Sequence, residues 1–346
     1  SRSIVVFNFV KYLLGTKGKP KGGDNQKITT RYVMFYNLDN LYDTVDDPKT
    51  NDDEYTPTGA KRWTRGRYYQ KLSNLADVIA AVAADKKMFP AMIGVSEVEN
   101  KTVLKDLVSQ NQISKANYSY IHYESGDQRG VDVGLLYRPD VFQVEESTHI
   151  KLKLRSGREY LGRDVLVVRG RMDNVMYCIY VCHLTSRRAG TECSAGFRRA
   201  GTETIRDHAA EMRQKYPFIK VIVMGDMNDN PCDESLADLL GAKRTIQESV
   251  GGYFNPFWQL YDMGYGSSMH GHHWMMFDNI IVDDSIIFSK VGDLTIKKIG
   301  KYYGEVFSRP FMLQSGKEPK RTYIGDKYKN GYSDHLPVLI KLESNF

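Results

Sequence analysis

The chain has 346 residues, 41% of them hydrophobic and 26% charged, a balance that excludes a disordered or fibrous protein and fits a folded globular one. No apolar run reaches the roughly 20 residues that a membrane-spanning helix needs. The formal net charge of +6 suits a polyanionic partner, though it also serves solubility, and part of it sits in Lys17, Lys19, Lys21, Lys27 and Arg31.

Residues 1–30 hold a short apolar run, Ile4 to Val10, and then a Gly-, Lys- and Pro-rich stretch from Gly15 to Lys27, which reads as a flexible lead-in. The first residue is Ser1 rather than methionine; a cleaved signal before it would place the protein in a secreted or periplasmic compartment. The folded part, 31–346, opens on the β-rich run Arg31 to Asn37. An acidic, turn-rich insertion follows from Asp43 to Asp53. Leu72, Leu75, Ala76, Ile79 and Val82 form one stripe of a helix over about Arg67 to Asp85. Pro90 to Val95 is a short buried-type strand that stops at Ser96-Glu97.

A polar helix comes next, then strands around Tyr118 to Tyr123 and Val131 to Tyr137. Asp164 to Met172 and Val175 to Cys182 form a hairpin that turns at Asp173-Asn174. Ala200 to Tyr216 reads as a helix and Lys220 to Gly225 as a central strand. Phe277 to Val282 and Leu336 to Leu342 are the last clear strands. Strands outnumber helices and hairpins mix with crossovers, so the fold class is α/β (α+β): two mixed β-sheets packed as a sandwich. Cys178 and Cys182 share one face of a strand as small core residues. Cys193 and Cys232, placed in loops, would pair in an oxidising compartment and otherwise stay free.

Polar residues collect at strand ends. Asn37 and Asp39 follow the first strand, Glu97 the second, His183 the hairpin, and Asp226 and Asn228 the central strand. Asp278 opens a later strand, and Asp334 and His335 precede the last. In a mixed sheet such ends meet at one edge, gathering carboxylates, amides and imidazoles. Oxygen donors of this kind suit Mg²⁺, Mn²⁺ or Ca²⁺ rather than zinc. Each residue alone has a plainer reading as a turn, cap or solvated charge; the ordered set is what argues for a site. Asp132, inside a buried strand, needs a partner, and an active-site arginine or histidine would serve. His270, His272 and His273 read as a surface loop beside the Asp278 strand. Phe257, Trp258 and Tyr261 read as core.

Seven segments resemble the endonuclease/exonuclease/phosphatase superfamily, in its order, between residues 31 and 342. They are Phe35-Tyr-Asn-Leu-Asp-Asn-Leu41, Ile93-Gly-Val-Ser-Glu-Val-Glu99, Arg129-Gly-Val-Asp-Val-Gly-Leu-Leu-Tyr137, Cys182-His-Leu-Thr-Ser-Arg187, Gly225-Asp-Met-Asn-Asp229, Phe277-Asp-Asn-Ile-Ile-Val282 and Tyr332-Ser-Asp-His-Leu-Pro337. Met227 stands where the family commonly has Phe.

The resemblance implies a four-layer αββα sandwich and Mg²⁺-dependent hydrolysis of a phosphodiester bond. It implies Glu97 as main metal ligand with Asn37, Asp39 and Asp334, and His335 as the base for the attacking water, held by Asp278. Asp226 and Asn228 would orient the water and bind a phosphate oxygen. His183 would donate to a phosphate oxygen or leaving group, and Tyr180 matches an active-site tyrosine of the apurinic-site enzymes. Arg129, Arg187 and Arg188 are candidates to face the phosphate. Nucleic acid is the expected substrate, acted on by a monomer; a small or lipid-linked phosphate ester is the alternative. A catalytically dead binding module would have lost Glu97, Asp226 or His335, and all three are present.

Overall fold

The computed structural model describes residues 26–346 except Glu159. The expected lead-in, including the Ile4 to Val10 run, lies almost wholly outside the described residues. The ordered body begins slightly before Arg31: Thr29 N donates to Ser344 Oγ at 2.9 Å, and the first strand opens at Thr30.

In chain order, strand β1 (Thr30–Leu41) is followed by helix α1 (Arg65–Lys86), β2 (Met92–Val98) and α2 (Lys101–Val108). Then come β3 (Ser119–His122), β4 (Asp132–Tyr137), β5 (Phe142–Ile150), β6 (Val165–Met172) and β7 (Val175–His183). Helix α3 (Thr191–Lys215) leads to β8 (Lys220–Asp226), and short strands β9 (Ala242–Lys243), β10 (Tyr253–Phe254), β11 (Ser268–His270) and β12 (His273–Met275) follow. The core closes with β13 (Asp278–Asp283), β14 (Leu294–Lys297), β15 (Gly304–Val306) and β16 (Val338–Ser344).

Local sequence accounts for the main elements. Thr64 caps α1 by accepting from Arg67 N, and α1 ends where Lys87 turns left-handed at φ 59°. Its buried side, Tyr68, Leu72, Leu75, Ile79 and Val82, recurs at helical spacing. Asp173 and Asn174, at φ 51° and 64°, make the left-handed pair that a two-residue hairpin loop requires between β6 and β7.

Two seven-stranded mixed sheets result, one ordered β14-β16-β1-β2-β4-β3 with β15 also on β16, the other β5-β6-β7-β8-β13-β10-β9. Three buried clusters separate four layers. Tyr36, Ile93 and Val95 pack under α1 and α2 with Leu72, Ile79 and Leu104. Val33 and Phe35 meet Ile179, Ile222 and Ile280 between the sheets. Val221 and Val223 pack under α3 with Ile205 and Ala209. The layering is the expected αββα sandwich. The sheets approach closely at Gly94, where an added Cβ would lie 2.5 Å from Met224 Sδ.

The structure adds to and amends the sequence reading. Strand β5 was not anticipated, because its mixed, largely solvated side chains at the sheet edge carry little apolar signal. Helix α3 starts at Thr191, so Cys193 lies in its first turn rather than in a loop. All four cysteines are free, Cys193 and Cys232 exposed. Among the described residues no helix is long and apolar enough to cross a membrane.

Candidate active site

Strand alternation aims four side chains into one edge of the sandwich. Phe35, Val181, Met224 and Ile280 point into the inter-sheet core, so Asn37, His183, Asp226 and Asp278, each two residues away, point the same way beyond the end of that core. Register then sets them side by side: His183 is opposite Asp226 in the parallel β7–β8 pair, and Asp278 is opposite Asp226 in the antiparallel β8–β13 pair.

Glu97 arrives by a different route. Ile93 and Val95 face the helices, so simple alternation would send Glu97 there too. The β2 ladder slips between Ser96 and Val98, and Glu97 sits at φ 59°. That bulge turns its carboxylate into the edge, where Asn37 Nδ2 donates to Glu97 Oε2 at 2.8 Å and to Asp226 Oδ2 at 3.1 Å. Arg129 Nη2 donates to Glu97 Oε1 at 3.0 Å and to Asn40 Oδ1. Burial alone would raise the Glu97 carboxyl, but Arg129, His183 and His335 outweigh it and hold it well below its ordinary value.

His335 is fixed from two sides. Ser333 Oγ accepts from His335 N at 3.1 Å and donates to Asn37 O at 2.6 Å, tying the last loop to β1. His335 Nδ1 donates to Asp278 Oδ2 at 2.7 Å, and Ser267 Oγ donates to the same oxygen at 2.6 Å. His335 Nε2 then faces Asp226 Oδ2 at 3.7 Å and Asp334 Oδ1 at 3.8 Å. Burial opposes charge on this ring, yet Asp278, Asp334 and Asp226 together lift its pKa well above 6.5. Burial above all raises Asp278, with His335 opposing. Asp334 is pushed up to about 7 by burial and then by Asp39. Burial and Arg163 lower His183, with Asp226 and Glu97 opposing.

The donor set fits a hard divalent cation. Glu97, His183 and Asp226 each offer an atom within 4.8 Å of the others. Asp39 and Glu97 both raise Asp334, so three carboxylates face one another, and Asp334 Oδ1 is buried with no hydrogen-bond partner. A cation between them would relieve that repulsion. Lys71, on the buried side of α1, braces the cluster from behind: its Nζ donates to Asp39 O and, at 2.7 Å, to Thr322 Oγ1.

A model described as the Endonuclease/Exonuclease/phosphatase family matches residues 32–344. The chain belongs to the endonuclease/exonuclease/phosphatase family. Like the members of that family, it is a metal-dependent phosphoesterase hydrolase. Among solved structures the chain is similar to TDP2 of D. rerio complexed with single strand DNA product, at 14% identity, TM-score 0.54, 91% of this chain and 99% of that one. It is similar to an endonuclease/exonuclease/phosphatase family protein from Bacteroides thetaiotaomicron, at 15% identity, TM-score 0.53, covering 92% and 97%. The human Nocturnin catalytic domain with bound sulfate anion matches at 15% identity, TM-score 0.51, covering 91% and 96%. At these identities the likeness is one of fold. No curated protein matches the chain in sequence.

At this edge the structure brings together most of the expected residues: Asn37, Asp39, Glu97, Arg129, His183, Asp226, Asp278, Asp334 and His335. Asn228 lies there too, but its Nδ2 donates to Leu184 O at 2.8 Å, so it secures the His183 loop. Tyr180 is not part of the site. It alternates with Ile179 and Val181 and so faces α3, where its hydroxyl pairs with His208 Nδ1 at 2.6 Å. Arg187 is drawn away from phosphate duty: its Nη2 donates to Asp229 Oδ1 at 2.9 Å and Asp233 Oδ2 at 3.0 Å. Arg188 is exposed on the rim, beside Asp39 and Arg321. The buried Asp132 finds a histidine partner, but it is His122, at 2.9 Å and on neighbouring β3.

The histidine loop is the β11–β12 hairpin, with His270 paired to His273 across the turn and resting on Phe277 at 5.1 Å between ring centroids. Phe257 is core as expected, whereas Trp258 and Tyr261 are only half-buried. The sequence reading overlooked Lys71, Ser267 and Arg163, whose Nε donates to His183 O at 3.1 Å. Lys71 carried a signal: a lone cation at the i+3 position from Tyr68, on a helix face that is apolar apart from it and Asn74.

Proposed function

We propose that the chain hydrolyses a phosphodiester bond of nucleic acid with Mg²⁺ as cofactor, Mn²⁺ and Ca²⁺ being alternatives of the same ligand chemistry. The observation that carries this reading is the orientation of His335. Its Nδ1 is committed to Asp278, which leaves Nε2 directed at the carboxylates where a water and a phosphate would sit. His335 Nε2 takes a proton from the attacking water. The water oxygen bonds to phosphorus while the opposite P–O bond breaks, its electron pair leaving on the alcohol oxygen, which takes up a proton from solvent as it departs. Asp278 holds the imidazole in the right tautomer and balances the imidazolium that forms. Arg129 and His183 stand beside the developing charge on the phosphate oxygens. Bound by Glu97, Asn37, Asp39 and Asp334, a divalent cation supplies the positive charge that those oxygens need.

A nucleic-acid substrate is supported by the rim. A cavity of about 210 Å³ beside Asp334 and Asp39 is lined by Lys61, Arg188 and Arg321, cations that suit a phosphate backbone. The fold likeness to a TDP2 holding a DNA product agrees with it.

The test is hydrolysis of plasmid DNA beside bis-p-nitrophenyl phosphate and a panel of phosphomonoesters, with EDTA and His335→Ala controls. DNA cleavage lost in both controls is the expected result. Activity on small esters without DNA cleavage would move the substrate to a small or lipid-linked phosphate.

A further inference from the structure

The strand that carries Asp226 to the catalytic edge begins at Lys220, about 20 Å away along β8. Ile222 and Met224 face the space between the sheets, so Lys220 points the same way, beyond the other end of that core. Lys220 and Ser289 are each only 5% exposed, and neither Lys220 Nζ nor Ser289 Oγ has a hydrogen-bond partner. Asp293 Oδ2 lies 3.4 Å from Lys220 Nζ, an ion pair without a hydrogen bond. Burial pushes the Lys220 ammonium below its ordinary pKa, and Asp293 offsets only part of that.

Lys220 and Ser289 line one cavity of about 590 Å³, where the end of α3, the β6–β7 turn and the segment joining β13 to β14 converge. Arg171, Lys215 and Lys290 line it too, and Asp293 is the one carboxylate among its lining residues. Arg171 Nε is taken by Glu145 Oε1 at 2.8 Å, whereas Lys215 and Lys290 lie over the rings of Tyr216 and Phe218, at 5.5 and 4.9 Å. Even with Arg171 set aside, the cavity holds an excess of positive charge. Val175, Met176, Phe218 and Phe288 give it apolar surface, and Phe218 is 80% exposed. A buried ammonium and a buried hydroxyl, both without an acceptor, call for a ligand with negatively charged oxygens. A few convergent polar groups in a cavity of this size with apolar surroundings are the form of a small-molecule site.

We propose that this cavity is a second binding site, on the edge opposite the catalytic one, for a soluble phosphate monoester with an apolar or aromatic body. The phosphate accepts from Lys220 Nζ and Ser289 Oγ beside the Lys290 ammonium, and the body lies against Phe218 and Phe288. A phosphate monoester suits this group of donors better than a carboxylate, because its dianion offers three terminal oxygens. A lipid phosphate carries the same chemistry, and the experiment separates the two sources.

The experiment is titration calorimetry of the full chain in EDTA with phenylphosphonate, whose C–P bond a phosphoesterase leaves intact, together with amide hydrogen exchange over residues 215–220 and 285–293. Inorganic phosphate, benzyl alcohol and vesicles of phosphatidic acid in phosphatidylcholine are the comparison ligands. The proteins compared are wild type, Lys220→Met, Lys290→Glu and His335→Ala. Phenylphosphonate is expected to bind, to slow exchange in both segments, and to bind at least roughly tenfold more tightly than inorganic phosphate or benzyl alcohol. Lys220→Met and Lys290→Glu should each weaken it by roughly tenfold or more, while His335→Ala, at the catalytic edge, leaves it unchanged. Lys290 is exposed, so its variant keeps the test open should Lys220→Met fail to fold. Absence of phenylphosphonate binding, equal binding of inorganic phosphate or benzyl alcohol, unaltered binding in Lys290→Glu, or binding lost in His335→Ala would overturn the proposal. Binding to the vesicles alone would overturn it as well, in favour of a lipid surface.

Discussion

His335 and Asp278 lie 57 residues apart in sequence and meet through one 2.7 Å hydrogen bond from Nδ1 to Oδ2. The bond decides which ring nitrogen faces the water. Asp278 is itself fully buried and anchored by the Ser267 hydroxyl and by pairing with β8.

Replacing Asp278 by Asn should therefore cost nearly as much activity as removing the base. His335→Ala is expected to lower kcat by roughly a hundred- to ten-thousand-fold, and Asp278→Asn by a similar order because the amide stabilises the wrong tautomer. Steady-state rates on bis-p-nitrophenyl phosphate, with circular dichroism to confirm folding, measure both. Wild-type kcat in Asp278→Asn would remove the aspartate from the mechanism.

The charge on His335 should respond to the cation. With no cation bound, burial opposes the imidazolium, but Asp278, Asp334 and Asp226 favour it and lift the ring's pKa well above 6.5. The raised pKa means that the ring's contribution to stability is complete below pH 6.5 and is lost as pH rises through the folded value. A cation shared by Glu97 and Asp334 would offset part of that negative field and lower the pKa. Histidine ring NMR titrations in EDTA and in Mg²⁺ should show a midpoint above 6.5 that falls with metal. A midpoint already below 6.5 in EDTA would contradict this account.

Lys71→Met is expected to weaken both the fold and the metal site. The substitution strips the donor from Asp39 O and Thr322 Oγ1 inside a buried region. Leaving such groups unsatisfied costs about 1–3 kcal/mol, and loss of a ligand's support typically lowers metal affinity by about 10- to 100-fold. Urea denaturation and Mg²⁺ titration read the two effects separately. Unchanged Mg²⁺ affinity in a folded Lys71→Met protein would confine the lysine to packing.

Tyr180→Phe should leave turnover unchanged while costing about 0.5–1.5 kcal/mol through the lost bond to His208. A large fall in kcat with stability intact would return the hydroxyl to the active site.

Much of the site was legible because the chemistry sits at strand ends. Asn37, His183, Asp226 and Asp278 each continue a β-run whose apolar partners betray its period, and the Gly-Asp-x-Asn and Ser-Asp-His segments are short and local. Lys71 and Ser267 escaped notice because their partners, Asp39 and Asp278, are distant in sequence or on another element. Strand β5 escaped because an edge strand exposes most of its side chains and loses the apolar alternation.

The sequence by itself determined two packed mixed sheets and the order along the chain of the polar groups at their strand ends, while the αββα layering and the roles of those groups were what the family resemblance implied. Hydrophobic period and turn chemistry are properties of neighbours in sequence, and they survive without coordinates. Only the tertiary structure decided which groups face the edge. The bulge at Glu97 turns a carboxylate that alternation would have sent toward the helices into the site, whereas unbroken alternation at Tyr180 sends a promising hydroxyl out of it. With a side-chain period of two, a single slipped residue reverses a strand's faces, and that slip is fixed by pairing between strands that a linear chain does not display.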